Sequence, residues 1–582
     1  MIVVHVTHEA VEKIGGIGTV IAGLMTSQAY RDNVSRTILV GPMFPSDPAA
    51  NRRIGMGGRL IYSSLDSVVT PSWRQKFHPI ERSHDVQITY GHRPITAACT
   101  GETVEAEVLL VNVFHGNRDR LNVFKRRLFD NFAIASDEFE KVWDFEQYVR
   151  LAEPAFEALQ AIGAGGDDDE VVLLSHEYMG IPTALKAVLD GSPRVRTVFY
   201  AHEVASVRPV VEMAEGHDTM FYNVLDRALA EGLTLEQVFP SVLKNYKHPL
   251  VRAGRYCDHV FAVGELIQRE LAVLDKHYQT MDVDLVFNGI PAEAITFEQR
   301  MESRHRMQQY AANLLGQAPT WVLTHVARPV LSKGLWRDLR VLDAMEGPLA
   351  DRGERAVYFM LGTLGGQRRS RDIRQMERTY GWPVTHEHGY PDLVGGEDVL
   401  GDMVEAFNAE HTAIQAIFVN QWDWNRSACG ERMPAEMTFA DIRRGSDVEL
   451  GLSVYEPFGI SQLEPLCFGA ICVVSNVCGC VAFARQVTDG AGADENIIEA
   501  DFLSVPGIET IDDLKAIDIA RRDEIETAEG RRLADLLLRQ LQDDPDVMAK
   551  RLASGYALAN RMSWDRVVGD YFLPSLDRVA DA

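Results

Sequence analysis

Cysteine is scarce, with seven in 582 residues at irregular spacing. An odd, scattered set in a chain this long excludes the disulfide framework of a small secreted domain; the thiols read as buried groups in a reducing compartment, and a cytoplasmic location is expected. Cys478-Gly479-Cys480 has a one-residue gap and no second ligand pair, so it does not read as a metal site. Long apolar runs are lacking too, none approaching the roughly 20 residues that cross a bilayer. The opening Met1-Ile2-Val3-Val4-His5-Val6 is too short for a signal peptide and reads as a buried first strand. Basic charge is also in deficit, 58 Lys and Arg against 84 Asp and Glu, a net charge of -26. At long range this repels nucleic acid and anionic membranes, so neither is an expected partner. A phosphate-bearing ligand must then be held by local cations and backbone N–H groups. Neither the Walker pattern nor the dinucleotide fingerprint is met, and no internal repeat stands out. Asp167-Asp168-Asp169 reads as a polar loop and Asp282-Val283-Asp284 precedes a strand, so no metal is expected at either.

What is present is an ordinary globular composition, 46% hydrophobic and 24% charged. Short β-branched runs alternate with stretches of helical period, which argues for parallel sheets covered by helices, an α/β fold. Runs at 2–6, 37–40, 108–113, 171–174, 197–200, 259–263 and 285–287 form one series, and those at 321–325, 356–361, 416–419, 448–452 and 471–474 a second. A polar helix near 297–320 between the series is the expected domain boundary. Two Rossmann-like domains are therefore predicted, residues 1–300 and 318–555, with a C-terminal helix over 556–582. Open sheets of this kind bind ligands at the carboxyl ends of their strands, so chemistry is expected from loops of both halves around one central cleft.

Three segments could carry that chemistry. Lys13-Ile14-Gly15-Gly16-Ile17-Gly18-Thr19-Val20 is a glycine-rich turn entering a helix, which lets a backbone approach a diphosphate, although tight packing alone also explains such a turn. Arg328 and Lys333 lie on a loop directly after the first strand of the second half, suited to neutralising a leaving diphosphate. Tyr455-Glu456-Pro457-Phe458-Gly459-Ile460-Ser461-Gln462-Leu463-Glu464 follows a later strand and enters a helix. Glu456 is expected in the turn and Glu464 two turns into the helix, at a separation that lets them accept from the hydroxyls of a hexose and a ribose. His176 and His202 each follow a first-half strand and can point toward a ligand or serve as core histidines.

These residues resemble the motifs of the retaining glycosyltransferases of the GT-B fold, and especially the glycogen and starch synthases. Lys13, Gly15 and Gly16 match that family's lysine, gap and glycine pair, Arg328 and Lys333 its arginine and lysine five apart, and Tyr455 to Gly459 with Glu464 its paired glutamates. Ser175-His176-Glu177-Tyr178-Met179-Gly180 resembles its histidine loop, Phe287-Asn288-Gly289-Ile290 its domain-end turn, and Met562-Ser563-Trp564-Asp565 with Tyr571 its terminal helix, which crosses back to the first domain. Asn476-Val477-Cys478-Gly479-Cys480 departs from the glycine pair usual there, and Gly18-Thr19 from the alanine-aspartate frequent in bacterial members. The resemblance implies transfer of glucose from UDP- or ADP-glucose to the non-reducing end of an α-1,4-glucan with retention. Glu456, His176, Arg328 and Lys333 would be catalytic; Lys13, Gly15, Gly16, Gly18, Gly459, Ile460 and Glu464 would bind the donor; His202 would be a further sugar contact. No cofactor beyond the donor is implied. A retaining transferase with a small sugar acceptor, or a nucleotide-sugar epimerase of the same fold, are the alternatives.

Overall fold

The computed structural model describes residues 1–11, 15–44, 52–97, 101–165, 170–488 and 496–581. These form two compact units: Met1–Val210 with Leu225–Gly289 and Trp564–Ala582, and Val211–Val224 with Ile290–Ser563.

The first unit is built on nine strands, β1 (Ile2–Val6), β2 (Arg36–Pro42), β3 (Arg59–Ser63), β4 (Gln87–Thr96), β5 (Thr103–Asn112), β6 (Val171–His176), β7 (Val195–Ala201), β8 (His259–Ala262) and β9 (Val283–Leu285). Their order is β3-β4-β5-β2-β1-β6-β7-β8-β9. β4 pairs antiparallel with both neighbours and the other pairings are parallel. From β1 the chain winds first toward β2 and later toward β6, so the topological switch point lies between β1 and β6. The hairpin partners β3 and β4 are missing from the sequence-based series because they are polar, half-buried strands without a continuous apolar run.

Six parallel strands form the second unit's sheet: β10 (Trp321–Val326), β11 (Ala356–Leu361), β12 (Ile414–Val419), β13 (Val448–Gly451), β14 (Ile471–Ser475) and β15 (Ile497–Ala500). Their order, β12-β11-β10-β13-β14-β15, is the 3-2-1-4-5-6 arrangement of a Rossmann sheet, with the switch point between β10 and β13. Both faces are apolar, as a buried parallel sheet requires. Trp321, Leu323, Tyr358 and Met360 pack with Leu342, Met345 and Leu537 on one side, and Val322, Val357, Phe359 and Leu361 with Met307, Tyr310 and Trp382 on the other.

Two domain limits differ from expectation. The helix Phe297–Leu315 belongs to the second unit, because its buried Met307, Tyr310 and Ala311 join that core and Arg304 Nε donates to buried Asp447 Oδ1 at 2.9 Å. Val211–Val224, placed by sequence in the first domain, also belongs to the second unit. Its Asp218 carboxylate accepts from the fully buried Arg337 at 2.6 and 2.9 Å. The terminal segment from Trp564 onward is part of the first unit.

Trp564 lies in a slot that only glycine leaves open. A Cβ at Gly23, in the helix Ile17–Thr26, would fall 2.1 Å from the indole, and one at Gly289 would fall 2.6 Å from it. Gly23→Ala should therefore destabilise the protein by about 1–3 kcal/mol through overpacking. In a double-mutant cycle with Trp564→Leu, read by denaturant unfolding, the cost of the double variant should fall short of the sum of the two single costs; strict additivity would mean that the two sites do not meet.

Candidate active site

At the second unit's switch point, the loops after β10 and β13 are joined by their backbones. Val454 N and Tyr455 N donate to Ser332 O at 2.9 and 3.2 Å. Gly334, with φ of +61°, sits where a Cβ would be 2.3 Å from Leu452 O. The approach brings together Lys333 and Glu456, whose Nζ and Oε2 form an ion pair, each side chain only partly exposed. Gln462 Nε2 donates to Ser453 Oγ at 3.0 Å and lies 3.4 Å from the same Glu456 oxygen. Arg328, on the β10 loop, is exposed, and among the described residues its guanidinium has no partner. The loop after β10 thus carries one cation paired with the carboxylate of Glu456 and a second, Arg328, with no partner among the described residues.

Glu464 is placed differently from expectation. The helix ends after four residues, Ile460–Leu463: Leu463 departs from helical geometry at φ of -109° and ψ of -1°, Pro465 has no N–H to continue the ladder, and Glu464 begins a separate 3-10 turn. Its carboxylate is 3.0 Å from Arg443 Nε, and Arg443 also meets Glu449 at 3.2 Å. Burial pushes the Glu464 carboxyl above its usual range, against the pull of Arg443. Gly459 has φ of +94°, a left-handed turn that turns the chain into Ile460, and a Cβ there would meet Gln462 Oε1.

Two supports of this site were not singled out from sequence. Arg337 donates to Asp218 and to Glu526, at 2.8 Å for the latter, and reaches the carbonyls of Leu452 and Ser453 at 3.5 and 3.4 Å, bracing the loop that carries Glu456. The stretch that departs from the family's glycine pair braces the same loop: Gly479 N donates to Glu456 O at 3.3 Å and Cys480 N to Phe458 O at 2.9 Å. A Cβ at Gly479 would be 2.1 Å from Pro457 O. Cys478 and Cys480 are buried, with thiols pushed upward by burial.

In the first unit, Lys13 lies outside the described residues, as do Asp167, Asp168 and Asp169. The glycine-rich turn is already engaged by the protein. Glu9 Oε2 accepts from Gly18 N at 2.9 Å, and its other oxygen lies 2.9 Å from where a Gly15 Cβ would be. Nothing approaches a Cβ built at Gly16. The N–H of Gly18, expected to face a diphosphate, therefore serves an internal carboxylate, a role Glu9 gains by its place just upstream of the turn.

His176 also differs from expectation. It is fully buried, and both ring nitrogens are taken, Nε2 by His5 Nδ1 at 2.9 Å and Nδ1 by His202 Nε2 at 2.8 Å. No nitrogen remains to meet a sugar. The next residue, Glu177, has a left-handed φ of +57° at the turn from β6 into the helix Glu177–Asp190. Its buried Oε1 accepts from Glu203 N at 2.5 Å while Oε2 has no partner among the described residues, and burial with the nearby Glu203 charge pushes the carboxyl well above its ordinary range. A strained, buried carboxyl at a strand end, its proton affinity raised by burial, is a site signature that the sequence hides inside the histidine loop.

Among the described residues no three His, Cys, Asp or Glu side chains are grouped to hold a metal ion, and no helix is long and apolar enough to cross a membrane. No protein-family model and no curated protein matches the chain. Solved structures do. A trehalose-6-phosphate synthase is 12% identical with a TM-score of 0.50, 99% of each chain being covered. The fold is of the GT-B type. A UDP-forming α,α-trehalose-phosphate synthase from Burkholderia xenovorans has 12% identity and a TM-score of 0.49, covering 100% of this chain and 99% of its own. The catalytic domain of starch synthase IV from Arabidopsis thaliana, bound to ADP and acarbose, has 12% identity and a TM-score of 0.45, covering 96% and 99%.

The histidines give the first unit a pH dependence. Burial lowers His5 and His202 to about 3 and drives His176 well below its ordinary value. The folded values lie below the unfolded ones, so the unfolded chain binds more protons. Stability from these groups is complete above about pH 6.5 and is lost as pH falls toward 3. Replacing His202 by Gln should shrink the loss of stability between pH 7 and pH 5 by about 2 kcal/mol, measured by denaturant titration at both pH values. An unchanged difference would mean that His202 is solvated and titrates normally.

Proposed function

We propose that the protein is a retaining glycosyltransferase that takes a hexose from a nucleotide-sugar donor. The observation that carries the reading is the Lys333–Glu456 pair with the unpaired Arg328 at the switch point of a Rossmann-ordered sheet. In an acidic protein, two cations on one strand-end loop suit a diphosphate. A diphosphate oxygen that takes over Lys333 releases Glu456 to accept from sugar hydroxyls and to stabilise positive charge at the anomeric carbon. Glu464, held by Arg443, would accept from the ribose. The bond from the anomeric carbon to the diphosphate oxygen breaks, the acceptor oxygen bonds on the same face, and the acceptor proton passes to the departing diphosphate. The two cations supply the charge, so the reaction is proposed to proceed without a metal or further cofactor.

The donor is proposed to be UDP- or ADP-glucose and the acceptor an α-1,4-glucan, as the motif resemblance implies. A small sugar acceptor stands equally, since the structural neighbour with a TM-score of 0.50 is named for the synthesis of trehalose 6-phosphate. Offering UDP-, ADP- and GDP-glucose with glycogen, maltose and glucose, and identifying the product, separates the two. Free nucleotide without a new glycoside, or an epimerised donor, would overturn the transferase reading.

Arg328→Ala and Lys333→Ala should each lower kcat by about 10²- to 10³-fold with a smaller effect on KM, because the charge they meet grows toward the transition state. Wild-type turnover in both variants would remove the diphosphate from this loop. Wild-type activity should persist in excess EDTA; loss on chelation with recovery by one divalent ion would place a metal in the reaction.

A further inference from the structure

An unbroken line of hydrogen bonds crosses one face of the first unit's sheet. Thr37 Oγ1 meets Tyr30 Oη at 3.0 Å, Tyr30 Oη meets His5 Nε2 at 3.3 Å, and His5 and His202 meet the two nitrogens of His176 at 2.9 and 2.8 Å. The line follows from strand register. Thr37 pairs with Val3, His5 with Leu174 and His176 with Tyr200, so each step to the next strand advances two residues and stays on one face. It crosses the switch point from β1 to β6, and the His176 and His202 rings lie nearly parallel, 9° apart with centroids at 5.0 Å, the separation of two rings bonded edge to edge. Phe572 stacks against Tyr30 at 5.9 Å, and Tyr30, His5 and His176 are buried. His202 is partly exposed, and its Nδ1, the last nitrogen in the line, has no partner among the described residues and is not enclosed by them.

Burial keeps all three imidazoles neutral and the Tyr30 phenol protonated. A neutral imidazole has one N–H and one bare nitrogen, so a choice at one end of the line fixes every ring. A phenol, ordinarily with a pKa of about 10, is a more acidic donor than a neutral imidazole N–H, and imidazole nitrogen accepts better than an alcohol oxygen. Tyr30 therefore donates to His5 Nε2 and accepts from Thr37. His5 Nδ1–H then donates to His176 Nε2, His176 Nδ1–H donates to His202 Nε2, and His202 presents Nδ1–H outward.

We propose that Tyr30 and His5 are positioning residues that lock His202 as an Nδ1–H donor to a sugar oxygen; the sugar rests on the transfer reading above, the lock does not. A donor whose proton uptake is pushed down to about pH 3 carries no positive charge near neutral pH, which suits an uncharged hydroxyl or ring oxygen rather than a diphosphate. In protein labelled with 15N-imidazole histidine, assigned by single His→Gln variants, solid-state spectra should show protonated Nδ1 and bare Nε2 at His5, His176 and His202. Protonated Nε2 at His176 and His202 would overturn the lock. Tyr30→Phe keeps the ring and removes the donor, so mixed tautomers should appear at His202; an unchanged spectrum would also overturn it. Should Tyr30→Phe not fold, the wild-type spectrum alone decides the direction.

In the transfer assay Tyr30→Phe should lower kcat/KM about 3- to 10-fold, the worth of one neutral hydrogen bond. His202→Gln supplies its own N–H donor, so adding Tyr30→Phe to it should cost nothing more. An equal loss in both backgrounds would show that Tyr30 acts through packing and would sink the positioning role. No transfer with any donor and acceptor would defeat the transferase reading and the sugar assignment with it, while the spectra would still decide the lock.

Discussion

The second unit depends on one guanidinium removed from water. Arg337 is 1% exposed, and its donors are spread over Asp218, Glu526 and the carbonyls of Leu452 and Ser453. A cation buried this deeply persists only where its donors are met, and deleting one partner of such a pair typically costs about 3–5 kcal/mol. That requirement draws Val211–Val224 into the unit, ties the helix Ile519–Gln540 to the sheet, and holds the loop after β13 against the loop after β10. Lys333 and Glu456 face each other because of this constraint. The close approach of Gly334 to Leu452 O and of Gly479 to Pro457 O completes it, since any Cβ there would force the loops apart.

The first unit uses polar burial in the opposite sense. Its switch point carries neutral imidazoles instead of a charged pair, and burial is what keeps them neutral. Charge is moved to the periphery of this cluster, where Glu9 takes the N–H of Gly18 and Glu203 meets Arg208. An acidic chain thus holds one strand-end cluster uncharged and another with cations to spare.

Much of the fold was legible because buried parallel strands are continuous apolar runs, and eleven of the twelve runs fall on strands; the run at 285–287 meets β9 (Val283–Leu285) only at Leu285, because Asp284 interrupts the apolar pattern there. The runs failed at the edge strand β3 and its neighbour β4, where polar and apolar residues share half-buried strands, and at β15, where four residues follow a stretch outside the described chain. The helix Phe297–Leu315 looked like a linker because its many charges outweigh the few side chains that reach the core. After Gly459 the apolar pattern suggested a long helix, and Pro465 cut it to one turn.

The sequence by itself determined the residue types and their order: cations on the loop after β10, paired glutamates after β13, glycines at the tight turns. Local pattern carries these, because strand period, proline and glycine act over a few residues. Only the tertiary structure decided which group meets which. Glu9 takes the Gly18 N–H, Arg443 takes Glu464, and His5, His176 and His202 join across three strands, because pairings between distant segments follow from strand order and register. Whether a histidine keeps a free nitrogen depends on its neighbours on the adjoining strands, and for that reason His176 is enclosed while His202 reaches the surface.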